Sequence, residues 1–424
     1  MKLLIATDHS FLQHHTGVFD NHCFDRYFFD DYSQVFDEVE VICRMERVSE
    51  LPLAAMRSDG KSVRFIGVPN KRRSAWFLLV SWLSQPVLKL AVERADAVIV
   101  RVPSQLGWLA AKYARRMGKP YMIEVIGDPK EMWLTSGRGP LFWVVALVEA
   151  HRMQHLASHA QIGCYVSYGL EKTCPMPNKQ RTHEVISSIR LEDEIASPRT
   201  HNVRRDLSNT YPTPIKHANE IISDIRLRDG DLVSSKAAYE TTRPFRLIHV
   251  GRLEPRKRCR DLIHATHHLV DLGFNIEVHL AGDGPQRASL EALCKKIGLE
   301  EIISFHGHIT GKQTLNKLLD ESDLFVFTSA SEGLPRVIVE AMARGLPVVG
   351  THIPGVDELV CESEMYPVGD TSALATLIMN LLVNPQRLAE MSRYSVQIAR
   401  QFTHEVLSPR RQRLYRNMLN AAKS

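Results

Sequence analysis

Apolar residues in this chain gather in short runs separated by longer amphipathic stretches, the rhythm of strands alternating with helices. In the first half the runs predict strands at Leu3–Thr7, Glu38–Cys43, Val63–Ile66, Ala97–Val102, Tyr121–Val125 and Gln161–Val166. Helices are expected near 18–32, 76–93, 105–117, 141–157 and 168–173. The second half predicts strands at Phe245–Val250, Asn275–Ala281, Ile302–His306 and Leu324–Thr328, with helices at Arg260–Leu272, Gln286–Ile297 and Gly311–Ser322. Pro335 then suits a first helical position, Val337 to Arg344 continue the helix, Gly345 can take the left-handed cap, and Pro347–Gly350 reads as a buried strand. Helices at Thr371–Leu382, Pro385–Gln401 and Pro409–Ala422 close the chain. Strand followed by helix, repeated, specifies α/β architecture with doubly wound parallel sheets, whose ligands sit beyond the carboxyl ends of the strands.

The glycine-bearing junctions of the second half fall at those carboxyl ends. They set Arg252, Lys257, Asp283, His308 and Glu332 along one rim. A helix that starts beside such an edge offers free backbone N–H groups and a positive dipole end, which suits phosphate. Glu340, further along that helix, is an acceptor-only carboxylate that can take hydrogen bonds from sugar hydroxyls. The residues alone indicate a nucleotide or phospho-sugar site.

Glu332 and Glu340 form a Glu-x7-Glu element, preceded in order by Val250-Gly-Arg-Leu-Glu-Pro-Arg-Lys257, Leu280-Ala-Gly-Asp-Gly-Pro285 and Phe305-His-Gly-His-Ile309. Together these fragments resemble the donor site of family 4 retaining glycosyltransferases, the glycosyl transferases group 1. The likeness is sharp over residues 244–360 and loose over the first 190. It implies the GT-B fold, two Rossmann-like doubly wound parallel-sheet domains facing a cleft. The implied organisation is 1–190 as an acceptor-side domain, 191–243 as a linker, 244–400 as the donor domain and 401–424 as a helix crossing back to the first domain.

The same resemblance distributes roles. Arg252 and Lys257 would hold the donor diphosphate, Glu332 would orient hydroxyls of the transferred sugar, and Glu340 would accept from the ribose. The backbone of Gly333, Leu334, Pro335 and Arg336 would meet sugar and phosphate, with His308 and Ile309 against the nucleobase. Gly17 stands where the family has a glycine-rich loop on the donor phosphates, although a single glycine replaces the usual pair. Asp128, in Gly127-Asp128, stands where the family often has a polar pair reaching the sugar; an Asp before Pro is also a routine turn former, and both readings stay open. The glutamate pair is not read as a hydrolase acid and nucleophile. Front-face substitution, in which the departing phosphate helps deprotonate the acceptor, requires no protein nucleophile. The expected reaction is retaining transfer from a nucleotide-sugar, a UDP-sugar ahead of a GDP-sugar, to a lipid-linked or growing polysaccharide acceptor. A GT-B nucleotide-sugar epimerase and a catalytically silent binding subunit of a polysaccharide assembly are the alternatives.

Bulk properties narrow the partners. The chain has 424 residues, 44% hydrophobic and 24% charged, enough for two or three packed domains. Its net charge of +5 is clustered at Lys71–Arg73, Lys112 to Lys119, Arg256–Arg258 and Arg410 to Arg416, which favours nucleotide diphosphate or anionic lipid over nucleic acid. Seven scattered cysteines without a Cys-x-x-Cys pair read as reduced thiols, and His14, His15 and His22 show no metal-ligand spacing. No metal and no cofactor are expected. With no targeting signal in the first residues and no apolar run of about 18, the expected location is cytoplasmic. Two shorter apolar segments, Trp76–Leu83 and Leu141–Val148, fit either a helix packed on the sheet or the plane of a membrane interface. A peripheral contact with an anionic membrane therefore stays open. Finally, residues 173–193 recur as 210–229, a tandem duplication expected to add length near the domain boundary.

Overall fold

A computed structural model describes residues 1–21, 24–52, 55–69, 84–130, 141–166, 170, 174, 227, 229–236, 239, 243–309 and 311–423. The chain divides into two compact units. The first takes the described residues of Met1–Ile186 together with Leu407–Ser424; the second takes those of Ile225–Val406. Of the duplicated segment only Cys174, Leu227 and Asp229 are described, and Trp76–Leu83 lies outside the described residues.

The first unit runs β1 (Lys2–His14), β2 (Gly17–Asp20), α1 (Asp30–Ser33), β3 (Glu38–Arg47), β4 (Met56–Arg57), β5 (Val63–Pro69), α2 (Gln85–Arg94), β6 (Ala97–Val102), α3 (Gln105–Arg116), β7 (Tyr121–Val125), α4 (Leu141–Ala157) and β8 (Ile162–Tyr165). Its sheet has the order β4-β2-β1-β6-β7-β8, and β3 and β5 extend it from β1. Leu3 pairs in parallel with both Val39 and Ala97, which places β1 at the centre. The apolar runs behave as buried parallel strands should: every residue of β6 and β7 is buried.

Two expectations for this unit need correction. Residues 18–32 are not one helix. Gly17–Asp20 is a strand that folds back on β1, pairing Leu12 with Phe19 and His14 with Gly17. Only a 3-10 turn at Arg26–Phe29 and the short α1 follow. The cause is local. Val18 and Phe19 favour pairing over helix, and His9 Nε2 lies 2.6 Å from Asp20 Oδ1, fastening the hairpin. Phe24, Phe28, Phe29 and Tyr32 then crowd together as a buried aromatic cluster. For the same reason β1 does not end at Thr7 but passes through an irregularity between Ala6 and Ser10 and continues to His14.

The second unit runs β9 (Phe245–Val250), α5 (Cys259–Asp271), β10 (Ile276–Ala281), α6 (Arg287–Lys296), β11 (Ile303–Gly307), α7 (Lys312–Glu321), β12 (Leu324–Phe327), α8 (Arg336–Ala343), β13 (Val348–Thr351), β14 (Met365–Tyr366), α9 (Thr371–Leu382) and α10 (Pro385–Arg400). Strands order as β11-β10-β9-β12-β13-β14, each described pair parallel. Here the predicted elements agree to within a residue or two. Pro335 is the cap residue of α8 rather than its first helical position, and Gly345 takes the left-handed conformation expected of it, with φ +68°. The strand order reverses between β9 and β12, so the loops after these two strands border the switch point where such sheets bind ligands.

The last helix, α11 (His404–Lys423), is assigned to the first unit from Leu407 onward. Leu414, Tyr415 and Met418 join the core with Phe28, Phe29 and Tyr32, and the Tyr32 and Tyr415 rings stack at 4.6 Å. Tyr32 donates to Glu124 at 2.9 Å, and Glu124 pairs with buried Arg101 at 3.3 Å. Arg411 bonds Asp31 at 3.1 Å with both side chains buried, and Ser408 donates to the other Asp31 oxygen at 2.5 Å. Among the described residues no helix is long and apolar enough to cross a membrane.

Breaking a buried ion pair from one side strands a charge in a medium that cannot solvate it. Asp31→Ala is therefore expected to destabilise the first unit by about 3 kcal/mol. Chemical denaturation of the variant against wild type checks this, and an unchanged midpoint would show that the terminal helix is not held by the pair.

Candidate active site

The loops after β9 and β12 meet. The chain leaves β9 at Val250, makes a 3-10 turn at Pro255–Lys257 and enters α5 through Arg258, whose φ of 50° is left-handed. A non-glycine residue there costs roughly 1–2 kcal/mol. Its guanidinium braces the turn with two bonds to Asp261, at 2.7 and 3.1 Å. Hydroxyls and backbone clip the two loops together: Thr328 Oγ1 donates to the Lys257 carbonyl at 2.6 Å, and Ala330 N donates to the Arg256 carbonyl at 2.9 Å. Thr351 on β13 donates to the Ser329 carbonyl at 2.6 Å.

Clipped in this way, the loops set two neighbouring cations on one carboxylate oxygen. Lys257 Nζ donates to Glu332 Oε1 at 2.5 Å and Arg256 Nη1 donates to the same atom at 2.7 Å. Ser329 Oγ adds a third bond to it at 3.0 Å. Arg256 also reaches the Ser331 carbonyl at 2.6 Å and Glu254 at 3.1 Å, and Glu254 lies 3.5 Å from Arg252. Within this group of five, three cations face two carboxylates and leave one net positive charge. Lys257 and Glu332 are largely shielded from water, at 12% and 17% exposure, so their attraction is weakly screened. Arg252 is 70% exposed.

Beneath this cluster lies His249, on β9 and fully buried. Its Nδ1 is 3.0 Å from the Val326 carbonyl, which fixes the proton on that nitrogen and leaves Nε2 as a bare acceptor with no hydrogen-bond partner. Burial pushes its pKa down to about 4, aided by the Lys257 charge, so the imidazole is neutral at physiological pH. Its neutrality adds no further cation beside Lys257.

On the β13 side, Gly355 (φ +84°) closes the wall: a Cβ there would stand 1.6 Å from the Gly333 carbonyl. Only glycine lets this loop support the Glu332-Gly333 backbone. Pro335 is buried, while Gly333, Leu334 and Arg336 are half-buried. Glu340 on α8 is half-buried as well. Burial raises its carboxyl above the ordinary range, Arg336 and Lys312 oppose that rise, and Asp231 adds to it. His308 is exposed and Ile309 half-buried just beyond β11.

The second unit thus carries Arg252, Lys257, Glu332, Gly333, Leu334, Pro335, Arg336, Glu340, His308 and Ile309, with Lys257 and Glu332 in direct contact. Gly17 and Asp128 belong to the first unit. Gly17 does not precede a helix. It closes the β1–β2 hairpin, and a Cβ there would meet the Asp59 carboxylate at 2.9 Å. Asp128 caps its own turn, accepting from Lys130 N at 2.7 Å. The N-terminus of α3, at the carboxyl edge of the first sheet, is occupied by Asp8, which accepts from Gln105 N at 2.8 Å and Leu106 N at 3.2 Å. Arg256, His249 and Ser329 were not singled out from the sequence. Arg256 lies inside the quoted motif and could have been read from its place beside Lys257.

The comparisons with known proteins fit this arrangement. Residues 234–398, which contain the whole cation and glutamate cluster, match the family described as Glycosyl transferases group 1. The second unit therefore carries a glycosyl transferases group 1 domain. The chain is 24% identical to Protein CapJ of Staphylococcus aureus over 84% of its own length and 80% of that protein. It is 31% identical to the amylovoran biosynthesis glycosyltransferase AmsK of Erwinia amylovora, over 32% of its own length and 36% of that protein. Among solved structures, Anabaena HepE in complex with UDP superimposes with a TM-score of 0.64 at 16% identity, covering 99% of this chain and 100% of that one. The fold of the chain is GT-B.

A histidine held neutral by burial is protonated more readily when unfolded. Stability is therefore complete above the unfolded pKa of 6.5 and drains away as pH falls toward about 4. The full loss over that interval is on the order of 3 kcal/mol. His249→Asn keeps a donor for Val326 but does not titrate, and its acid unfolding is expected to be shallower over this range. Parallel acid-unfolding curves for both proteins would refute this reading of His249.

Proposed function

We propose that the protein is a retaining glycosyltransferase that moves a sugar from a UDP-sugar to a lipid-linked or growing polysaccharide acceptor. The observation that carries the reading is the Lys257 and Arg256 grip on Glu332 beside the exposed Arg252. Without donor, the carboxylate balances the two cations. A donor diphosphate brings a stronger, multivalent anion, draws Lys257 and Arg252 to its oxygens and leaves Glu332 to accept from hydroxyls of the sugar. Arg256 stays on Glu332 and holds it in place.

As the bond between the anomeric carbon and the diphosphate breaks, charge accumulates on the leaving oxygen. Fixed cations stabilise that charge more than they stabilise the intact donor, which is the condition for catalysis. The acceptor oxygen approaches the same face of the sugar, the new glycosidic bond forms, and the acceptor proton passes to the departing phosphate. The anomeric configuration is retained and no protein nucleophile is used. Glu340 receives the ribose hydroxyls, and Ile309 and His308 border the base.

The preference for UDP is supported by the UDP complex of HepE, and the choice of a polysaccharide acceptor by the amylovoran biosynthesis of AmsK. In this reading the mechanism uses no metal, because the leaving diphosphate is neutralised by side chains. Lys257→Ala is expected to lower turnover about 100-fold, near 3 kcal/mol of barrier, with folding retained. UDP release from a panel of UDP-sugars and GDP-sugars, with and without membrane extract as acceptor source, provides the measurement. Normal turnover in Lys257→Ala would remove Lys257 from the chemistry, and release from GDP-sugars alone would overturn the donor assignment.

A further inference from the structure

Helix α4 (Leu141–Ala157) changes character along its length, apolar in its opening turns and polar on its outer side in the later ones. Its inner side buries Ala146, Ala150, Met153, Leu156 and Ala157. Its outer side opens with Trp143, Val144, Leu147 and Val148, which are 62%, 58%, 60% and 44% exposed. The same stripe then changes character, continuing at four-residue spacing as exposed His151 and His155. Four large apolar side chains adjoining on two turns of a surface helix form a patch that gains free energy on leaving water.

Cations lie beside the later turns of the same helix, beyond this patch. Trp108 on α3 carries the Arg152 guanidinium 4.8 Å from its ring centre and the Lys112 ammonium 5.3 Å from it. Arg115, on the same helix, acts electrostatically on His155. Lys112, Arg115 and Arg116 are all exposed. Glu149, the acid of α4, is engaged by Arg152 at 2.9 Å and by Gln105 at 3.0 Å, so it contributes little opposing charge.

We propose that this face of the first unit is a membrane-docking surface, laying the opening turns of α4 into the interfacial layer of a bilayer with anionic head groups. Trp143 supplies the ring that favours the boundary between head groups and acyl chains, Val144, Leu147 and Val148 supply the apolar area, and Lys112, Arg115 and Arg116 meet the lipid phosphates. A protein partner would account for the apolar side chains but not for the cations along the adjoining turns. The two contributions are separable, because apolar insertion is insensitive to salt while the attraction of the cations is screened. The inference concerns the first unit and stands apart from the donor reading.

The test is co-sedimentation of the full chain with phosphatidylcholine vesicles and with vesicles containing phosphatidylglycerol, at low and high salt. Wild type should bind the anionic vesicles, more weakly in high salt, and bind phosphatidylcholine poorly. A Trp143→Ser/Leu147→Ser double variant should lose binding by at least about tenfold, since it removes the two most exposed apolar side chains. Lys112→Glu/Arg115→Glu should reduce binding to the phosphatidylcholine level. All four positions are on the surface, and thermal melting checks that each variant folds; if the first pair does not, the charge pair decides alone. Wild type that ignores phosphatidylglycerol, or variants that bind as well as wild type, would overturn the proposal. So would self-association in sedimentation velocity that the serine variant abolishes without any vesicle binding, which would mark the face as a protein interface.

Discussion

Two adjacent cations sharing one carboxylate oxygen is the constraint on which the second unit depends. Arg256 and Lys257 are neighbours in the chain and would repel one another if left bare. At about 4 Å, like charges near a protein surface cost on the order of 4 kcal/mol at an effective dielectric of 20. Glu332 removes that repulsion, and it does so from a loop 75 residues away, so the arrangement exists only when β9 and β12 lie side by side. The left-handed Arg258, the Thr328 and Thr351 hydroxyls and the close approach of Gly355 to Gly333 all serve to bring those loops into register.

The same groups explain why this region gives up stability. Glu340 is held partly out of water with its ionised form disfavoured by burial, and His249 is held neutral without a partner for Nε2. An apolar residue at either position would be easier to pack. Such compromises gather where a ligand is to be bound, because a carboxylate that is already satisfied has no lone pair to offer a hydroxyl. The first unit is arranged differently. Three of its carboxylates are spent internally: Asp8 on the N-terminus of α3, Asp31 on Arg411 and Ser408, Glu124 on Tyr32 and Arg101.

What could be read from the sequence follows this division. In the second unit each strand is a short apolar run ended by a glycine-bearing loop, and local pattern and tertiary structure agree, so β9 to β13 fall where periodicity puts them. In the first unit the hairpin at Gly17–Asp20 depends on His9 bonding Asp20 and on packing of Phe24, Phe28 and Tyr32, contacts that no single window of sequence contains. The residues of the glutamate motif are legible because their chemistry and spacing are distinctive. His249 is not, since it looks like any histidine in a strand; only the fold shows it buried below the cluster, and only the fold shows Arg256, a cation of the quoted motif, sharing Glu332. The outer face of α4 is a third case: periodicity gives a helix, but whether Trp143 and Leu147 are covered is a tertiary fact.

The central claim is that Glu332 stands in for the donor diphosphate until the donor arrives. Calorimetric titration of UDP into wild type and Glu332→Gln tests it most directly, because UDP carries the diphosphate but no sugar for Glu332 to hold. If the carboxylate competes for Lys257, its neutral replacement should bind UDP more tightly than wild type. Equal or weaker binding would contradict the exchange and leave Glu332 a fixed structural partner of the two cations.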